Sequence, residues 1–411
     1  MSGAASGATA AGAASDAALG RVVRHEAAYI VAALSRMFRS IDIAEEAVAA
    51  AVEEALREWR VRGVPPNPGG WLTAAARHNA LDRIRRERRY AQKLQSLEQG
   101  RPAASAPVEV DERLPLLFGC CHPALAPEAQ LALTLRAVVG LTTEQIARAT
   151  LEPATTVAQR IVRAKRKITA SGIPLRVPEG DDRAARLDLV LTVISVMYDT
   201  AHLRRGGDAA ADRDVADDAI WLAQVVAAAL PQEAEAHGLL ALVLFHRSRE
   251  RARAVDGRLV PLPRQDRSRW DSALIAQAQS ALRRAADLRR PGRWQYNAAI
   301  AACHSDARQA GDTDWPQILV LYDLLLTCDR SPIVRLNRVV ALAEVAGPDV
   351  ALAELDALAA RLVRSHLWHA VRGEMLRRTG RAAEARAAEQ TARGLAVNEA
   401  ERRLLAERLG I

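Results

Sequence analysis

The sequence predicts an all-α protein, and three observations predict it. Half of the 411 residues are apolar, much of that share is alanine, and aromatics make up only 4%. That mixture favours packed helices over a β-rich core. Apolar residues recur at three- and four-residue spacing over most of the chain. Gly, Pro and Asp/Ser clusters separate helix-sized segments from one another.

The length has room for roughly two to four domains. The Ala/Gly/Ser-rich start, residues 1–18, lacks the basic region and apolar core of a signal peptide and is expected to be a disordered tail. No apolar run reaches membrane-spanning length. Four cysteines, Cys120, Cys121, Cys303 and Cys328, are too few for a disulfide scaffold, so a reducing cytoplasm is the expected compartment. Lys+Arg total 57 against 49 Asp+Glu, a net charge of +8, and 24 of the bases with 17 of the acids lie between Met1 and Pro178. Nearly all the excess is therefore in the first part. Charge of that sign attracts phosphate backbones and makes binding salt-dependent, although an Arg-rich composition produces the same excess without a nucleic-acid partner.

Helical patterning runs from about Arg21 to Lys93. Inside it, Ala44, Val48, Ala51, Val52, Ala55, Leu56 and Trp59 form one face of a helix that Asp42 is placed to cap. Glu45, Glu46, Glu53 and Glu54 lie off that face, as a protein-docking surface or simply a solvated one. Next, Asn67 suits a helix cap and Pro68 a first turn. The helix that follows carries Leu72, Ala76, Ala80 and Ile84 in one band, interrupted by Leu81, with Arg77, His78, Asn79, Asp82, Arg83, Arg85, Arg86, Arg88 and Arg89 along it. Trp71 at its start is either a core anchor or a platform for an unstacked base held by neighbouring cations. A Pro/Ala/Ser/Glu-rich stretch closes this block as a flexible linker, with bounds of 95–110.

From Leu141 to Ile168 the chain reads as two helices with a tight break. Thr142 and Gln145 fit a capping box, and Glu152-Pro153 breaks the chain before a second helix. In that helix Val157, Ile161, Ala164 and Ile168 face a core, while Thr155, Thr156, Gln159 and Arg163 point away. Two short helices with an exposed polar and basic face describe a helix-turn-helix, whose second helix enters the DNA major groove.

Together these segments resemble the extracytoplasmic-function (ECF) sigma factors, the small sigma-subunit class of bacterial RNA polymerase, within the sigma-70 family. The acidic helix Asp42–Trp59 looks like the one that docks on the polymerase clamp. Asn67–Arg89, NPGGWLTAAARHNALDRIRRERR, looks like the segment that recognises the −10 promoter element. The linker stands where this class has one, and LTTEQIARATLEPATTVAQRIVRAKRKI is similar to the −35-reading helix-turn-helix. The resemblance implies sigma region 2 over 19–94 and region 4 over 111–173. It implies core-polymerase contacts at Asp42, Glu45, Glu46 and Glu53, and −10 contacts at Trp71, Arg77, Asn79, Asp82, Arg85 and Arg86. At the −35 element Thr155, Thr156, Gln159 and Arg160 would read base edges, because the early residues of a recognition helix reach deepest into the groove. Arg163, Arg166 and Lys167 would hold phosphates, which position without specifying. The implied partners are core RNA polymerase, through its clamp and flap, and promoter DNA, with no cofactor.

LPLLFGCCHPALAPEAQ, with QDRSRWD, TDWPQILVLYDLL and SPIVRLNRVVALAEV further on, resembles the ECF subgroup with a long helical, tetratricopeptide-like C-terminal extension. Cys120-Cys121-His122 tempts a zinc reading, but adjacent cysteines do not easily face one ion and no second ligand pair follows at suitable spacing, so helix packing is the expected role. The extension is expected as a helical domain over 181–290 and helical repeats over 291–411, with helices near 217–229, 232–249, 271–288, 294–310, 315–327, 332–345, 350–362, 366–379, 382–395 and 399–409. Such repeats fit either a regulatory protein or peptide in a concave groove, or an intramolecular cover. His202, His237, His246, His304, His366 and His369 are scattered, and no H-E-x-x-H, G-x-S-x-G or phosphate-cradling glycine loop occurs, so the chain is expected not to be an enzyme. The alternative function is a one-component helix-turn-helix regulator with a solenoid sensing domain.

Overall fold

A computed structural model describes residues 3–92, 113–150, 152–180, 182–202, 215–255 and 258–410. Among them regular structure is helical except for one two-stranded antiparallel pair. The fold is all-α, as expected. The chain divides into two compact units, Met1–Val196 and Met197–Ile411.

The first unit holds α1 (Gly3–Phe38), α2 (Ile41–Arg62), α3 (Pro68–Gln92), α4 (Arg113–Cys120), α5 (Pro127–Ala137), α6 (Thr143–Thr150), α7 (Ala154–Ala170) and most of α8 (Asp182–His202). α1, α2 and α3 pack on one another. α2 buries Ala44, Ala47, Val48, Ala51, Ala55 and Trp59, a stripe of mostly small residues that lets helix axes approach closely. Its cap is Ser40, whose hydroxyl accepts from the Ile43 N–H at 3.3 Å. Asp42, expected as the cap, instead lies in the first turn, where its charge still complements the helix dipole.

The expectation of disorder over 1–18 is corrected from Gly3 onward, where α1 already begins. Alanine is the strongest helix former, and the helix gains tertiary partners early. Buried Ser15 donates its hydroxyl to the Trp59 carbonyl at 3.2 Å, and Asp16 accepts two N–H groups of Arg60 at 2.6 and 2.9 Å. The linker expected at 95–110 lies outside the described residues.

α4 to α7 form a second cluster around Leu117, Phe118, Leu133, Leu135, Ile146, Val157 and Ile161, all buried, and α1 packs against both α4 and α5. Cys120 and Cys121 are fully enclosed here. Burial pushes the Cys121 thiol up to about 12 and Cys120 well above its ordinary range, so both behave as small apolar core groups.

The second unit continues with α9 (Val215–Ala229), α10 (Ala234–Ser248), α11 (Glu250–Arg253), β1 (Ala254–Val255), β2 (Arg258–Leu259), α12 (Ser272–Asp287), α13 (Arg293–Asp306), α14 (Trp315–Cys328), α15 (Pro332–Ala346), α16 (Pro348–Asp356), α17 (Ala359–Leu362), α18 (His366–Arg378), α19 (Ala382–Leu395) and α20 (Glu399–Leu409). Four of these helices, α12, α14, α15 and α20, begin where a side chain satisfies a first-turn N–H group. Asp271, Asp314, Ser331 and Asn398 each accept from a backbone N–H of the following turn. α12 and α13 pack mainly on α10, and from α14 onward each helix packs mainly on its sequence neighbours. α18 and α19 approach so closely at Gly373 that an added Cβ would meet Glu389 Cγ at 2.7 Å and the Ala385 carbonyl at 3.2 Å.

Candidate nucleic-acid and polymerase interface

The break between α6 and α7 is built as the sequence indicates. Gln145 Oε1 accepts from the Thr142 N–H at 2.8 Å while Thr142 Oγ1 accepts from the Gln145 N–H at 3.2 Å, a reciprocal capping box. Pro153 stands at the cap of α7 with extended backbone. Val157, Ile161, Ala164 and Ile168 are buried, and Thr155, Thr156, Gln159, Arg163, Arg166 and Lys167 are exposed. The outward face of α7 is therefore polar and basic, and with the start of α5 it walls a concavity of about 360 Å³ that includes Thr156, Gln159, Arg163 and Lys167.

Two cations on this face are already engaged. Arg160 forms a bidentate pair with Glu152, one arm at 2.8 Å, and that guanidinium lowers the Glu152 carboxyl below its usual range. Arg160, expected to read base edges, is therefore tied to the interhelical break, because a fork-shaped cation meets a carboxylate there. Lys167 donates to the Ala124 carbonyl in the turn before α5.

Along α3, Asn67 Oδ1 accepts from the Gly70 N–H at 2.9 Å, fixing the helix start. Leu72, Ala76 and Ala80 are fully buried and Leu81 is exposed, as the band required. Arg77, Arg85 and Arg86 are exposed. Asp82 lies 3.4 Å from Arg85 and 3.6 Å from His78, so it orders this basic surface rather than opposing it from a distance. Trp71 is half-buried, its ring edge-on to that of Trp59 at 5.6 Å between centroids. Such a pair contributes about 0.5–1.5 kcal/mol beyond burial, which is the core-anchor role. Asn79 is half-buried, with its Nδ2 enclosed and without a hydrogen-bond partner.

The acidic residues of α2 separate into two groups. Glu53 is exposed, and Glu46 contacts Arg83 of α3. Asp42 and Glu45 instead receive Lys165 of α7, whose ammonium donates at 3.0 and 2.7 Å, and Arg136 of α5 stands 3.5 Å from Glu45. Lys165 is buried, while Glu45 is largely covered and Asp42 is about half exposed. Two of the four expected polymerase-docking residues thus face the helix-turn-helix cluster. Sequence reasoning assigned no role to Lys165. Its signal was position: it lies four residues after Ile161 and three before Ile168, on the inward stripe, where a lysine needs a carboxylate partner.

Among the described residues no group of three or more His, Cys, Asp or Glu side chains is placed to hold a metal ion. No helix among them is long and apolar enough to cross a membrane.

Comparison with known proteins gives two family matches. Residues 116–168 match sigma-70 region 4, a span that contains α5, α6 and nearly all of α7. Residues 186–286 match a family of unknown function (DUF6596). No solved structure matches the chain. An uncharacterized protein of Rhizobium meliloti (strain 1021) is 39% identical over 387 residues, covering 90% of this chain and 90% of that protein. The likeness runs through both units, so the chain belongs to the same family as the Rhizobium protein.

Proposed function

We propose that the chain is a sigma factor of the ECF type: it binds core RNA polymerase, directs it to promoters, and supports initiation by holding the −10 and −35 elements. The observation that carries this is the capped break between α6 and α7, with α7 burying its apolar stripe and exposing Thr155, Thr156, Gln159, Arg163 and Arg166 inside the region 4 match. α7 is the −35 helix. Its exposed Thr155, Thr156 and Gln159 reach base edges, while Arg163 and Arg166 hold phosphates. α3 supplies the −10 surface through Arg77, Arg85 and Arg86, with Trp71 anchoring the helix on Trp59. Glu46 and Glu53 are the accessible part of the clamp surface, and Asp42 and Glu45 join it once Lys165 lets go. The tetratricopeptide-like extension regulates this activity from the cytoplasm.

The test is reconstituted transcription. Full-length chain and core polymerase are incubated with genomic fragments and run-off products are sequenced. The proposal requires discrete start sites that appear only when both are present. DNA binding by the chain alone, with no start sites, supports a one-component regulator and overturns the sigma assignment.

A further inference from the structure

The second unit carries a solvent-open cavity of about 330 Å³, between α11, the turn after β2, the start of α18 and α20. It lies at the small end of the ~300–1,000 Å³ usual for small-molecule sites. One side is apolar: Leu259, Pro261, Leu367, Leu404 and Leu405. The other carries three guanidinium groups, Arg249, Arg253 and Arg408, against a single lining carboxylate, Glu401. Glu401 stands 3.2 Å from His366, and Arg408 stands 3.6 Å from Glu374, which itself pairs with Arg377 at 2.9 Å.

Among the described residues neither Arg249 nor Arg253 has a carboxylate within ion-pair distance, although the charges of Asp199 and Glu401 act on Arg253. Arg249 instead stands 5.8 Å from the Trp270 ring centroid. Arg249 is the cap before α11 and Arg253 its last residue, four positions apart, where like charges oppose each other. Burial pulls Arg249 down to about 10, with Arg253 beside it adding to the effect, and burial also lowers Arg253 and Arg408. A helical protein has little reason to gather three desolvated guanidiniums around an apolar wall unless something anionic joins them, because charge removed from water is costly until it is paired.

We propose that this cavity binds a small amphipathic oxyanion, a carboxylate or phosphate monoester on an apolar body. The headgroup lies in the Arg249–Arg253–Arg408 fork and the body lies against Leu259, Leu367, Leu404 and Leu405. Arginine suits such groups because its planar donors match two oxygens at once. Binding here is independent of the transcriptional role and is measured without polymerase.

The experiment is calorimetric titration of the full chain with phenylacetate, phenyl phosphate, neutral benzyl alcohol and inorganic phosphate. At least one aromatic oxyanion is expected to bind once per chain, with benzyl alcohol and inorganic phosphate each weaker by about tenfold or more. Tighter binding of phenyl phosphate identifies a phosphate ester, and tighter binding of phenylacetate a carboxylate. Arg253→Gln should weaken the preferred oxyanion by about tenfold or more. Arg408→Gln provides the second reading should Arg253→Gln fail to fold. Absence of heat from both oxyanions up to about 10 mM, equal binding of the alcohol, or unchanged affinity in the folded variants would overturn the proposal.

Discussion

Arg163 and Lys165 are two residues apart on α7 and face opposite ways. Arg163 is exposed beside the concave face, whereas Lys165 is buried between two carboxylates. Replacing Arg163 with Ala is expected to weaken duplex binding at every sequence and flatten the salt dependence by about one counterion, because a phosphate contact carries no sequence information. Affinity measured at several salt concentrations on two unrelated duplexes checks this, and a sequence-selective loss would reassign Arg163 to base reading. Cysteine reactivity follows burial in the same way. Cys120, Cys121 and Cys303 are buried and Cys328 is exposed. Brief iodoacetamide treatment of the native chain is expected to alkylate Cys328 alone, with the other three modified only after unfolding, as read by peptide mass spectrometry.

The contact between α2 and α7 makes the two helical clusters of the first unit mutually dependent. Lys165→Ala leaves Asp42 and Glu45 without their ammonium, and because Asp42 is half exposed the expected loss is about 1–3 kcal/mol rather than the full cost of breaking a buried pair. If α2 is a polymerase-docking surface, the same change also frees two docking carboxylates and should tighten binding to core polymerase. Denaturant melts and a polymerase titration on one preparation measure both effects, and weaker docking would show that the ion pair holds α2 in its binding shape. A second element-scale effect lies in α13. Burial, with Arg249 and Arg267 nearby, holds His304 down at about 4. Its unfolded pKa is near 6.5, so the unfolded chain binds the proton more readily. Stability from this residue is therefore full above about pH 6.5 and is lost as pH falls toward 4, by up to about 3 kcal/mol. His304→Gln should flatten the pH dependence of the melting temperature across that window.

Several helix starts were legible where a side chain or proline marks them, as at the Thr142–Gln145 box, Asn67 before Pro68, Asp314 before Trp315 and Ser331 before Pro332, whereas the Ser40 cap of α2 was missed for Asp42 two residues on. The short α11, β1 and β2 were not legible, because four-residue and two-residue elements are too brief to show a period. Nor were partners far apart in sequence. Neither the spacing of Lys165 from Asp42 nor that of Arg253 from Arg408 carries any local pattern, so tertiary ion pairs and the cavity emerged only from the fold.

At the scale of the whole molecule, excess positive charge lies in the first part of the chain. The first 178 residues carry 24 bases and 17 acids, while the remainder is close to balance. A polyanion is therefore drawn to the first unit, and the helical extension offers packing surfaces and a cationic cavity rather than a general affinity for nucleic acid. Assembly of the full chain with core RNA polymerase is the most direct measure of whether this division serves transcription initiation. On size-exclusion chromatography at physiological salt the two are expected to co-elute in a stable stoichiometric complex. A chain that elutes apart from core polymerase while still binding duplex DNA would contradict the sigma-factor assignment.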